Sequence, residues 1–166
     1  MKFARTGFLL LLVIALTNTA VANDRIGDFA LLDDQGKFHQ LSYYGDYQAV
    51  AVLVSGLSGH AEKEQLSAFA ELATTRSDEV VFWVLNPNPQ MDREAVRAAL
   101  DSQQVDLPVL MDESQLVAKS LSARTFGEVF VLNPQTATLI QRTNMEGLKV
   151  SLDALNGGLI QVSSHN

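Results

Sequence analysis

Ala49-Val50-Ala51-Val52-Leu53-Val54 is an unbroken apolar run dominated by β-branched and small residues, and it leaves no side for water. A strand of this kind has to be covered on both faces, which happens in sheets flanked by helices rather than in half-solvated antiparallel sheets. A second such run, Val80-Val81-Phe82-Trp83-Val84-Leu85, lies downstream. Between the two, Ser55-Gly56-Leu57-Ser58-Gly59 turns the chain into a helical segment. Its Leu66, Phe69, Ala70 and Ala73 recur on one face, while Glu62, Lys63, Glu64 and Gln65 are expected outside. Strand, helix, strand in this order is the unit of an α/β domain.

The pattern continues without an internal repeat, a low-complexity tract or a Pro/Gly-rich linker. Asn86-Pro87-Asn88-Pro89 stops the second strand, and Asp92 is placed to cap a helix with Val96, Ala99 and Leu100 as its buried stripe. Leu107-Pro108-Val109-Leu110 is a short extended piece. Asp112 and Gln115 have capping-box spacing and predict a third helix through Leu116, Val117 and Leu121. Glu128–Leu132 and Thr138–Arg142 flank the turn Asn133-Pro134-Gln135-Thr136-Ala137, which reads as a hairpin. Leu148, Leu152 and Leu155 share a last helical face, with Gly157-Gly158 as its stop.

The first residues point to export. Lys2 and Arg5 precede the apolar stretch Gly7–Leu16, which is shorter than the roughly 20 residues a membrane span requires. Ala20-Val21-Ala22 then offers the small-x-small pattern of a signal peptidase site. Residues 1–22 are therefore expected to be a cleaved signal peptide, residues 23–158 a single domain, and 159–166 a C-terminal tail. That leaves 144 of 166 residues, enough to bury a core without staples. Loss of Lys2 and Arg5 takes the net charge from −7 to −9, which disfavours nucleic acid and anionic membrane as partners. The chain has no cysteine. It can carry no lipid anchor on a thiol and run no thiol–disulfide or thiol-peroxidase cycle of its own.

Several local strings fall in a recognisable order: Gly27-Asp28-Phe29 with Leu32-Asp33-Asp34-Gln35-Gly36-Lys37, Asn86-Pro87-Asn88-Pro89-Gln90 with Arg93-Glu94-Ala95-Val96, Leu107–Asp112, and Glu128–Leu132. Together they resemble the thioredoxin superfamily, in its redoxin or peroxiredoxin-like branch, from about Gly27 to about Gly157. The resemblance implies a thioredoxin-like α/β fold: a central mixed sheet flanked by helices, with an N-terminal hairpin. It also implies where a redox site would lie. The stretch corresponding to Cys-x-x-Cys is Gly59-His60-Ala61-Glu62, and Phe126-Gly127 stands where the family has a cis-proline loop before the hairpin strand. Both halves of the redox site are missing, so the chain resembles a degenerate member.

Other chemistry at this position competes with plainer readings. His60 and Glu62 offer an imidazole and a carboxylate to a metal, yet two ligands do not make a site, and His39 and His165 read as surface residues. Gly56-Leu57-Ser58-Gly59 has the placement of an anion cradle but lacks the residues that complete a P-loop. Ser58 beside His60 fails the G-x-S-x-G elbow, and Ser58 reads better as a helix cap. Tyr43, Tyr44 and Tyr47 form an aromatic cluster expected to pack beneath a loop, and Trp83 is expected in the core.

The expected protein is thus an exported, periplasmic or secreted, cysteine-free thioredoxin-like domain that binds another exported protein rather than turning over a substrate. Its expected binding surface is Ser58, Gly59, His60, Glu62, Phe126 and Gly127, with no metal and no cofactor. The resemblance implies an accessory role in a redox or metal-assembly system of the export compartment. The rival is a redoxin-related enzyme or metal-binding protein built on His60 and Glu62, and a third class is a structural subunit of a larger assembly.

Overall fold

The computed structural model describes residues 24–156. The expected signal peptide, the Gly157-Gly158 stop and the tail with His165 lie outside the described residues. The order is β1 (Ala30–Leu32), β2 (Phe38–Gln40), a 3-10 turn (Leu41–Tyr44), β3 (Ala49–Val54), α1 (His60–Arg76), β4 (Val80–Asn86), α2 (Arg93–Gln103), β5 (Val109–Met111), α3 (Leu116–Ser120), β6 (Val129–Asn133), β7 (Thr138–Thr143) and α4 (Met145–Asn156). The main sheet runs β5-β4-β3-β6-β7, and β1 pairs with β2 in a separate hairpin. β3, β4 and β5 are parallel, whereas β6 is antiparallel to both β3 and β7.

β3 is central because every one of its residues is buried. The two-residue period of the strand divides them. Ala49, Ala51 and Leu53 join a cluster that contains Leu66 and Phe69 of α1, Val96 of α2 and Leu148 of α4. Val50, Val52 and Val54 face a second cluster containing Leu41, Trp83, Val117 and Phe130. Each fully buried Val or Leu contributes about 1.5–3 kcal/mol relative to exposure. That is why a continuous apolar run can exist only here, between two layers.

Both edges of the sheet are covered by the same N-terminal segment. The Leu139 amide donates to the Asp24 carbonyl at 3.0 Å and the Ile26 amide to the Ala137 carbonyl at 3.0 Å, along β7. Ile26, Phe29 and Leu31 then pack on the second cluster. On the far side the Asp34 amide donates to the Val109 carbonyl at 2.9 Å, and Asp33 bridges Leu110 of β5. The segment thus covers the start of β7 and the short β5, shortening the rows of backbone groups that open sheet edges present to another chain.

Two sequence expectations need correction. His39 is 3% exposed rather than at the surface. The alternation of β2 turns His39 inward and Phe38 outward. Its Nε2 meets Asp33 Oδ2 at 2.8 Å, its Nδ1 meets the Tyr44 hydroxyl at 2.8 Å, and its ring lies edge-on to Trp83. Asp33 Oδ1 meanwhile accepts the Gln35 and Lys37 amides and closes the hairpin turn. Burial alone would raise the Asp33 pKa. The hydrogen bond and charge of His39, with those two amides, outweigh it and hold the carboxyl below its ordinary value. Tyr44 goes the other way: burial raises its pKa, and the charges of Tyr47 and Asp33 add to the rise.

The second correction concerns α3. Gln115 precedes it with φ +57, so the expected capping box does not form, because Gln115 as its fourth residue would have to be right-handed helical. The Asp112 carboxylate instead reaches over the turn to accept the Val117 and Ala118 amides at 3.3 and 2.8 Å. Leu116, expected on the buried stripe, is 66% exposed. Elsewhere the Asp92 cap forms as its spacing predicts, with Oδ1 accepting the Ala95 amide at 2.8 Å.

Candidate functional site

The C-terminal end of β3 runs into a tight, buried turn. Ser55, Gly56 and Leu57 are buried, and Leu57 holds φ +60, a conformation that costs a branched side chain energy and needs local support. The Ser55 hydroxyl supplies it by accepting the Leu57 amide at 3.1 Å. That hydroxyl in turn donates to Glu62 Oε2 at 3.0 Å, and the Gly56 amide donates to the same oxygen at 2.6 Å. Glu62, expected outside, is therefore folded back from the first turn of α1 onto the loop. A carboxylate belonging to the protein thus satisfies the inward-facing donors of the loop between β3 and α1.

Ser58 and His60 are exposed and Gly59 is partly so. Gly59, not Ser58, is the N-cap of α1, and no side chain caps it, which corrects the expected capping role of Ser58. His60 lies 3.4 Å from Glu64, one helical turn on, with 90% of its side chain in solvent. His60 and Glu62 therefore point to different partners, and among the described residues no group of three His, Asp or Glu side chains could hold a metal. The rival metal pair does not assemble. Nor does any hydrogen bond join Ser58 to His60.

The structure does bring the Phe126-Gly127 loop to this corner. The Gly127 amide donates to the Val54 carbonyl at 2.8 Å, and the Val54 amide to the Glu128 carbonyl at 3.0 Å. The Phe126 ring lies so close to Gly56 that a Cβ there would come within 2.8 Å of it, so glycine is required for this contact. Gly127 has φ +89, and a Cβ on it would sit 2.6 Å from the Gln65 side chain of α1. The turn before it is held by Glu128, whose carboxylate accepts the Arg124 and Thr125 amides at 2.6 and 3.0 Å. Burial would raise the Glu128 pKa, but those bonds and the charges of Arg142 and Arg124 hold it below the ordinary value.

On the far side of Phe126 a groove of about 440 Å³ opens between this loop, the end of β4 and α3. Val54, Pro87, Ala118, Ala123 and Phe126 give it an apolar lining. Neither the groove nor the inward turn of Glu62 was foreseen from sequence. A glutamate three residues past the N-cap was the available signal for Glu62, since that position commonly reaches back to loop amides.

No protein-family model matches the sequence, and no curated protein is similar to it at a significant level. Solved structures do match. A putative protein disulfide isomerase from Bacteroides thetaiotaomicron is 14% identical, with TM-score 0.68 over 81% of this chain and 87% of its own. A peroxidoxin from Mycobacterium tuberculosis is 16% identical, with TM-score 0.67 over 86% of this chain and 97% of its own. An exposed lipoprotein thioredoxin from Streptococcus pneumoniae is 18% identical, with TM-score 0.62 over 76% of this chain and 98% of its own. The fold is thioredoxin-like, with a separate N-terminal hairpin, and it is carried here by a chain without cysteine.

Proposed function

We propose that this protein is a non-catalytic binding module of the export compartment, which engages another exported protein at the corner where the β3–α1 loop meets the Phe126-Gly127 loop. The observation that carries the reading is the internal carboxylate: Glu62 folds back onto the Gly56 amide and the Ser55 hydroxyl, so the inward donors of the β3–α1 loop at this corner are already taken. What the corner offers outward is recognition surface, namely Ser58, Gly59, His60 and the half-exposed Phe126. Structural likeness to a putative protein disulfide isomerase and an exposed lipoprotein thioredoxin supports an accessory role beside a thiol redox system.

The test is site-specific photo-crosslinking in the native host. A crosslinker at Ser58 is expected to trap one defined exported protein, and a Gly59→Trp change in the same chain is expected to abolish the adduct. A crosslinker at Val150, exposed on α4, is expected to trap nothing specific. The same adduct from both positions, or an adduct that survives Gly59→Trp, places the contact elsewhere.

A further inference from the structure

We propose that the groove beside Phe126 binds a small apolar molecule that ends in a carboxylate. The inference rests on the groove itself and does not require the protein partner described above.

The first argument is charge. The chain carries 19 acidic against 12 basic residues, yet no acidic side chain lines this groove. Its charged residues are Lys119 and Arg124. Three other surface grooves do hold acids: Asp34, Asp101 and Asp106 in one, Glu71 and Asp106 in a second, Glu64 and Glu71 in a third. Lys119 makes no ion pair or side-chain hydrogen bond among the described residues. The Glu128 carboxylate does not line the groove, but its charge partly offsets that of Arg124. Lys119, reinforced by the remaining charge of Arg124, is thus presented at an apolar concavity on an acidic protein, a local field that favours an anion over a cation.

The second argument is shape. The floor is Val54, 2% exposed, with Ala118 and Ala123 above it, and the Phe126 ring forms one wall. Small side chains at 118 and 123 leave depth that a larger residue would fill. The volume of about 440 Å³ lies within the range of small-molecule sites. The end wall is fixed: Gln115 Nε2 donates to the Pro87 carbonyl at 3.1 Å, tying α3 to the end of β4. Gln115 and Ser122 flank α3 with positive φ, and the Ser122 and Ala123 amides close its C-terminal end on the Lys119 and Ala118 carbonyls. Gln115 and Thr125, the remaining polar lining residues, add hydrogen-bonding capacity at the mouth.

The experiment is a heteronuclear NMR titration of the ¹⁵N-labelled protein with sodium octanoate, n-octanol and octylammonium chloride, three probes that share a tail and differ in head group. Octanoate is expected to give saturable shifts confined to the groove, at Ala118, Ala123 and Phe126, with an affinity at least about tenfold above that of octanol. Octylammonium is expected to bind more weakly than octanol. In the Lys119→Gln/Arg124→Gln double variant, octanoate affinity is expected to fall to the octanol level while octanol binding stays as it was. Both substitutions lie in exposed side chains, and the unchanged octanol response reports an intact groove. Equal affinity for octanoate and octanol, full octanoate affinity in the double variant, or no saturable octanoate shift up to about 10 mM overturns the proposal. None of these results bears on crosslinking from Ser58, so the two readings fail separately.

Discussion

Gly127 stands where the thioredoxin-like relatives implied by the sequence carry proline, and restoring that proline is the sharpest test of how this loop is held. In the structure the Gly127 amide donates to the Val54 carbonyl at 2.8 Å, and its φ is +89. Gly127→Pro removes the donor, leaves a buried carbonyl unsatisfied at about 1–3 kcal/mol, and demands φ near −65°. Forcing the loop to a new path adds about 1–3 kcal/mol of strain. The total, about 2–6 kcal/mol, approaches the stability of a typical domain. Gly127→Ala keeps the amide and suffers about 1–2 kcal/mol for positive φ, plus the displacement of Gln65 that its Cβ compels. Urea unfolding followed by the fluorescence of Trp83, the single tryptophan, gives both values. A Gln65→Ala background is expected to reduce the alanine cost and leave the proline cost unchanged. A proline variant as stable as the alanine variant, or alanine costs indifferent to Gln65, would refute the account of this loop.

Three further outcomes follow from hydrogen-bonded acids, of which Asp33 and Asp112 are buried. Glu62→Ala is expected to cost about 1–3 kcal/mol by stranding the Gly56 amide and the Ser55 hydroxyl, and Glu62→Gln less, as read from urea midpoints. Asp112→Ala is expected to cost about 2–3 kcal/mol and to destabilise α3 first, which hydrogen exchange at Val117 and Ala118 would detect. Asp33 has a lowered pKa in the folded state, so its stabilisation is complete above the ordinary carboxylate range and is lost as pH falls through the folded value. The stability gap between wild type and Asp33→Asn is therefore expected to be full at neutral pH and to close on acidification below about pH 4; a gap constant with pH removes the charge from the argument.

The sheet was legible in the sequence because β3 and β4 are buried on both faces, and only a sandwiched strand tolerates runs like 49–54 and 80–85. The helices of α1, α2 and α4 announced themselves by periodicity, and the Asp92 cap by its spacing. What failed was everything decided by where a polar side chain turns. His39 looked like a surface histidine because its partners, Asp33 and Tyr44, are six and five residues away and meet it only once the hairpin and the 3-10 turn are built. Glu62 looked solvated because its helix position faces out, and only the return of the β3 loop gives it amides to accept. The 57 and 115 backbones were invisible since neither residue is glycine, the usual marker of positive φ. The groove depended on those same hidden turns, together with the distant segment 123–126.

The N-terminal segment that borders both β7 and β5 sets an order on how this chain can mature. For a polypeptide made or threaded from its N-terminus, residues 24–34 emerge early, but one of their two docking partners is Thr138–Thr143, near the end of the described chain. Pairing across more than a hundred residues closes a long loop, which carries an entropic cost and favours late formation. Until then the β7 margin stays open beside Ala137–Leu139, while the β5 margin can already be covered by Asp33 and Asp34. The finished state is in this sense a latch of two catches, of which the one on β7 shuts only once residues 137–139 are available.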